Sequence, residues 1–104
     1  MPVTAGQRVS RSTIPATATV AAAADVLATA FDDELVLLNL RDGVYYGLEG
    51  VGSRIWSLIQ RPMPVAEIRN ALTEEFDVDP ARCEEDLRAI LGELVSRGLA
   101  VVRA

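Results

Sequence analysis

The sequence contains no histidine, and that absence removes Ser-His-Asp and Cys-His catalysis, histidine zinc sites and most general-base schemes at neutral pH. Cysteine occurs once, at Cys83, so no intrachain disulfide can form, and the usage agrees with a reducing compartment. Aromatic residues are confined to two Tyr, two Phe and one Trp. No apolar run reaches the roughly 18 residues of a membrane span. The N-terminus carries Arg8 and Arg11 but no leucine-rich stretch before a cleavage site, so no secretory signal is expected and the chain reads as cytoplasmic. Positive charge is also in deficit: 10 Lys and Arg stand against 15 Asp and Glu, a net charge of −5. Such a surface repels phosphate polymers, which disfavours a generic nucleic-acid binder. Taken together, these deficits predict no catalytic residue, no metal site and no cofactor.

What is present fits one domain. At 104 residues the chain can bury a modest core but not a second one. Half of it is hydrophobic, mostly Leu, Val, Ile and Ala, as in soluble α or α+β domains. Residues 1–24 are rich in Ala, Thr, Ser and Val with Pro2 and Pro15 and show no sustained period. They read as a partly ordered arm draped on the surface, with a weak strand signal near Thr19. The folded domain is expected over 25–104.

Val26 to Phe31, Glu34 to Leu40 and Val44 to Leu48 are short segments of β-branched, Leu and aromatic residues, separated by Asp32-Asp33 and by Arg41-Asp42-Gly43. They predict a three-stranded meander. A three-residue loop with Gly43 in the left-handed conformation would set Leu40 opposite Val44, Leu38 opposite Tyr46 and Val36 opposite Leu48, making one face wholly apolar. A two-residue turn at Asp42-Gly43 would instead match Leu38 and Leu40 with Gly47 and Tyr45, a poorer fit of bulk.

Beyond Leu48 the period changes to about 3.6. Val51, Ile55, Leu58 and Ile59 mark a first helix from about Gly50 to Gln60, stopped by Pro62 and Pro64, with Trp56 as an interior plug. Val65, Ile68, Leu72 and Phe76 mark a second. Asp79-Pro80 caps and starts a third, whose stripe is Cys83, Leu87, Ile90, Leu91 and Leu94 and whose stop is Arg97-Gly98. The tail from Leu99 to Val102 closes the domain in extended form. Three strands followed by three helices make an α+β layout compatible with a winged helix-turn-helix.

Such a sheet has two edges, and an edge strand offers unpaired N–H and C=O groups to an extended peptide. Val44-Tyr45-Tyr46-Gly47-Leu48 contains no Pro, Lys or other guarding charge. Cys83, Leu87 and Ile90 could form the facing wall, with Asp86 on its rim. Plain core packing is the competing account for all three apolar residues. Cys83 has no neighbouring cation or histidine in the pattern to make it a nucleophile, and the acidic runs Glu74-Glu75 and Glu84-Glu85-Asp86 read as solvated helix faces.

Leu37-Leu38-Asn39-Leu40, Gly43-Val44-Tyr45-Tyr46-Gly47-Leu48, Gly52, Ile55-Trp56, Val65 to Ile68, Glu75-Phe76-Asp77-Val78, Asp86-Leu87 and Leu94 to Leu99 together closely resemble the PqqD-like family over about Asp25 to Val102. The most specific piece is Gly-x-Tyr-Tyr-x-Leu followed by Gly-x-x-Ile-Trp. The resemblance implies a RiPP recognition element: a winged helix in which the leader of a ribosomally made peptide adds as a strand beside the third strand and lies against the third helix. It also implies peptide contacts at Val44, Tyr45, Tyr46 and Gly47 on the strand and at Cys83, Asp86, Leu87 and Ile90 on the helix. Stand-alone members of this size look most like those of lasso-peptide clusters, where the leader is presented to a cysteine protease and an ATP-dependent macrolactam synthetase. Others serve radical-SAM enzymes. Glu49, where Asn is common, and Pro64, where Thr is usual, depart from the pattern at two helix starts. A winged-helix DNA-binding regulator shares the fold but needs a basic recognition helix, which is absent. The open edge also offers itself to a second copy as a homodimer contact.

Overall fold

The computed structural model describes residues 14–103. The expected arm lies outside the described residues up to 13, and from Ile14 onward it is built into the fold. Strand β1 (Thr19–Ala22) is the centre of a small antiparallel sheet, flanked by β5 (Met63–Pro64) and β6 (Ala100–Arg103). Val20 is fully buried and Ile14 nearly so, and Ile14 offers its carbonyl to Arg88 Nε at 2.6 Å. The draped tail is therefore corrected. Val20 has a core to enter, and its Ala neighbours are small enough to sit between two partner strands.

The second sheet is the expected meander, β2 (Val26–Phe31), β3 (Glu34–Asn39) and β4 (Val44–Glu49), in that spatial order. Asp32 and Asp33 make the first turn, with Asp32 in the left-handed region. The second loop has four residues, Leu40 to Gly43, instead of three. Gly43 at φ 71° donates its N–H to Asn39 O at 2.8 Å, and Asp42 Oδ1 accepts from Val44 N–H. The register consequently pairs Asn39 with Val44, Leu37 with Tyr46 and Leu35 with Leu48. This is one residue away from the expected pairing, and such a slip exchanges the faces of a strand. Leu35, Leu37 and Asn39 point inward with Tyr46 and Leu48, whereas Val36 and Leu38 point outward.

Helices α1 (Val51–Leu58), α2 (Val65–Phe76) and α3 (Pro80–Ser96) follow. Ile55, Trp56 and Ile59, then Val65, Ile68 and Leu72, then Leu87, Leu91 and Leu94 form one core with Leu37, Val20 and Leu99. Trp56 is the expected interior plug. Two stripe positions leave the core: Val51 and Phe76 are exposed at helix ends. Asp79 Oδ2 accepts from Arg82 N–H at 3.0 Å, the N-cap expected for α3. The caps of α1 and α2, Gly50 and Pro64, make no side-chain cap bond. Gly98, at φ 74°, turns the chain from α3 into β6.

Candidate functional site

Strand β4 is an edge of its sheet: among the described residues nothing pairs with its outer side. Which of its backbone groups are free follows from the ladder. Leu40 donates its N–H to Asp25 O at 2.9 Å, so the even positions of β3 turn toward β2 and the odd positions toward β4. Val44, Tyr46 and Leu48 lie opposite Asn39, Leu37 and Leu35 and are engaged there. Tyr45 and Gly47 are left with N–H and C=O directed off the sheet.

Side chains alternate independently of these bonds. Tyr45 is 68% exposed and stands on the outer face, whereas Tyr46 is half-buried on the inner face and packs against the core. Gly47 faces outward too, where an added Cβ would meet the Glu34 carboxylate. The guanidinium of Arg97, just past α3, lies 5.1 Å from the centre of the Tyr46 ring, a cation–π contact. Glu93 Oε1 accepts from Arg97 Nε at 2.9 Å, and this bond first and Tyr46 second hold the guanidinium charged.

Tyr46 thus sits by Arg97, just past the C-terminal end of α3, while β4 leads through Gly50 into Val51. There a pocket of about 300 Å³ opens. Cys83, Asp86, Leu87 and Ile90, the helix residues singled out in the sequence, all line it. Val51, Leu72, Phe76, Val78, Asp79 and Arg82 complete the wall. None of these six was named as a peptide contact from the sequence. Val51 and Phe76 fit apolar helical stripes and so read as core, and Val78 is an apolar residue between two acids whose exposure was the only available signal.

Core packing and pocket lining are not exclusive. Leu87 is buried and Cys83 nearly so, yet both present a surface to the pocket. Asp86 is on the rim, 66% exposed, with Arg82 Nε 3.9 Å from its carboxylate, a pair too exposed to hold it firmly. Burial pushes the Cys83 thiol up, and Asp86 adds to the effect, so the sulfur stays a protonated apolar wall. Val44 is exposed at the start of β4, and neither it nor Tyr45, Tyr46 or Gly47 lines the pocket. Among the described residues no group of His, Cys, Asp or Glu is placed to hold a metal ion, and no helix is long and apolar enough to cross a membrane.

The solved structure of TbiB1 in complex with the TbiA(beta) leader peptide is 40% identical, at TM-score 0.74, over 81% of this chain and 98% of that one. Lasso peptide synthetase B1 complexed with the leader peptide is 24% identical, at TM-score 0.71, over 79% and 96%. The PqqD truncation of PqqCD from Methylobacterium extorquens, described as a stand-alone RiPP recognition element, is 20% identical, at TM-score 0.67, over 80% and 88%. The latter two establish likeness of fold. No curated protein matches the chain. The family model for coenzyme PQQ synthesis protein D matches residues 34–100, from the start of β3 to the first residue of β6. With the hairpin, three helices and pocket that those residues contain, this chain belongs to the PqqD family.

Proposed function

We propose that this chain binds the leader segment of a ribosomally synthesised precursor peptide by β-strand addition and presents it to separate processing enzymes, a cysteine protease and a macrolactam-forming synthetase. The observation that carries the reading is the open outer side of β4, where Tyr45 and Gly47 turn unpaired N–H and C=O groups off the sheet, a strand that leads into Val51 at the wall of the pocket. A guest strand takes its main-chain bonds there. Its alternate side chains reach inward toward Tyr46 and, further along, toward the pocket walled by Cys83, Leu87 and Ile90. Asp86 on the rim suits a cationic or hydrogen-bonding neighbour of the apolar anchor. Val44 and Tyr45 flank the entry of the guest. The likeness to TbiB1, a protein solved with a leader peptide bound, supports this assignment.

In this reading α2 and α3 are the helix-turn-helix pair of a winged fold, and the projecting β2–β3 hairpin is its wing. DNA binding does not follow, because α3 carries Glu84, Glu85, Asp86 and Glu93 against Arg82 and Arg88. Isothermal titration of the full chain with the leader of the precursor encoded beside it tests the proposal. Saturable binding is expected, together with NMR shifts confined to β4, Val51 and the pocket face of α3. No heat and no shifts would overturn it.

A further inference from the structure

An antiparallel sheet with one face in water ordinarily alternates apolar inside with polar outside. The β2–β3–β4 sheet does not. Its register sets Leu27, Leu38 and Tyr45 in one row across the outer face and Thr29, Val36 and Gly47 in the next. Phe31 follows on β2, beside Glu34. Leu27 is 55% exposed and Phe31 64%. Core packing does not account for them: β2 projects past the core, so that even Ala28 and Ala30, on its inner side, are exposed. Among the described residues nothing requires an apolar residue at 27 or 31. A contiguous apolar face of this kind on a small protein marks a contact surface.

The rim says what kind of partner fits. Asp32, Asp33, Glu34 and Glu49 gather at the Phe31 end, all exposed. The nearest cation at the other end, Arg41, lies over Gly98 on the inner side. Phosphate backbones and anionic lipid are repelled by such a rim. A second copy brings the same acids and a net charge of −5, with no cation of the described residues on the strands of this face to answer them.

We propose that the outer face of the sheet docks a protein partner whose apolar patch is flanked by Lys and Arg side chains, and that this partner is an enzyme acting on the presented leader. The second half rests on the leader-binding reading above. The face runs without a break into the Tyr45–Gly47 edge, so a guest strand on β4 extends it, and every second guest side chain stands beside Tyr45 and Gly47. The enzyme then touches module and guest together, and its affinity rises when the leader is bound.

The test uses the full chain, the leader of the neighbouring precursor, and the protease and synthetase encoded with it. Leu27→Ser with Phe31→Ser changes two exposed positions on the strand farthest from the open β4 edge. Fluorescence anisotropy of labelled leader should agree with wild type within about twofold, whereas enzyme affinity by interferometry should fall about tenfold or more, as when exposed anchors leave an interface. Wild-type enzyme binding should also weaken as salt rises. Equal enzyme affinity of variant and wild type, or no binding by either enzyme, overturns the inference. So does a wild-type dimer in sedimentation that the variant abolishes, which assigns the face to a second copy. The leader arm keeps the two readings apart: a leader that fails to bind removes the reading beneath, whereas a bound leader with unchanged enzyme affinity sinks this inference alone.

Discussion

The side-chain amide of Asn39 donates to the main-chain carbonyl of Arg97 at 3.0 Å, tying β3 to the residue that ends α3. Its Oδ1 accepts from Arg41 N–H at 2.9 Å, and the residue is almost completely buried. Both groups are therefore satisfied, and a one-residue slip of β3 would strand the amide on the outer face. Replacing Asn39 by Leu leaves the Arg97 carbonyl and the Arg41 N–H without this partner. A loss of about 1–3 kcal/mol in stability is expected. Urea unfolding checks it, and a midpoint equal to wild type would show that the bond does not hold the register. Leader affinity should fall too, because the same carbonyl anchors the residue whose guanidinium covers Tyr46.

Proline placed along β4 separates edge from ladder. Gly47 turns its N–H off the sheet, so Gly47→Pro deletes a donor that only a guest uses. The melting temperature should stay close to wild type while leader affinity falls about tenfold or more, the size of one lost main-chain bond with its strain. Tyr46→Pro strikes a residue paired with Leu37 and should lower the melting temperature sharply. Gly47→Ala keeps the donor and asks only that the flexible Glu34 side chain move, so its binding should remain near wild type. Loss of binding in Tyr46→Pro with unchanged melting would reverse this assignment of edge groups.

Phe76 and Val78 line the pocket while contributing little to the core, since both are about two-fifths exposed. Phe76→Ala is expected to weaken leader binding about tenfold, the usual cost of removing an aromatic anchor contact, with less than about 1 kcal/mol of lost stability. The corresponding change at Leu72, which is buried, should cost about 2–5 kcal/mol of stability instead. Titration calorimetry alongside thermal melts distinguishes the two. Equal leader affinity for Phe76→Ala and wild type would take the pocket out of the binding site.

Much of this organisation was legible in the chain. The three helices rest on apolar spacing and on the Asp79-Pro80 start, signals that lie within each segment. The open margin at Tyr45 to Gly47 was also readable, because the absence of Pro and charge there is a local property. The register was not. Leu35 and Leu37 on one side of β3 and Val36, Leu38 and Leu40 beyond it are all apolar, so alternation selects no face. The choice is made by Asn39, whose partner at Arg97 is 58 residues away. The strand signal near Thr19 was weak for the same reason: β1 is stabilised by β5 and β6, and neither adjoins it in sequence. The pocket residue Val51 begins α1, whereas Phe76 and Val78 lie at the end of α2 and in the link after it, and only the fold brings the two places together.

Cys83 gives a reading of the pocket by pH and by reagent. Its thiol is pushed up, chiefly by burial and then by Asp86, so the folded chain keeps the proton after the unfolded chain has begun to lose it near pH ~8.5. For a group raised in the folded state, the unfolded form binds fewer protons over that interval. Stability is therefore complete below pH ~8.5 and declines as pH rises from there through the folded-state value. Cys83→Ala removes the titrating group, so its stability should change less than that of wild type between pH 8 and 10, whatever the fixed cost of the truncation. Iodoacetamide, which requires the thiolate, should react more slowly with the folded chain than with a free thiol at pH 8. Saturating leader should slow it further by filling the pocket. Alkylation at an unchanged rate in the presence of bound leader would place the peptide elsewhere than against Cys83.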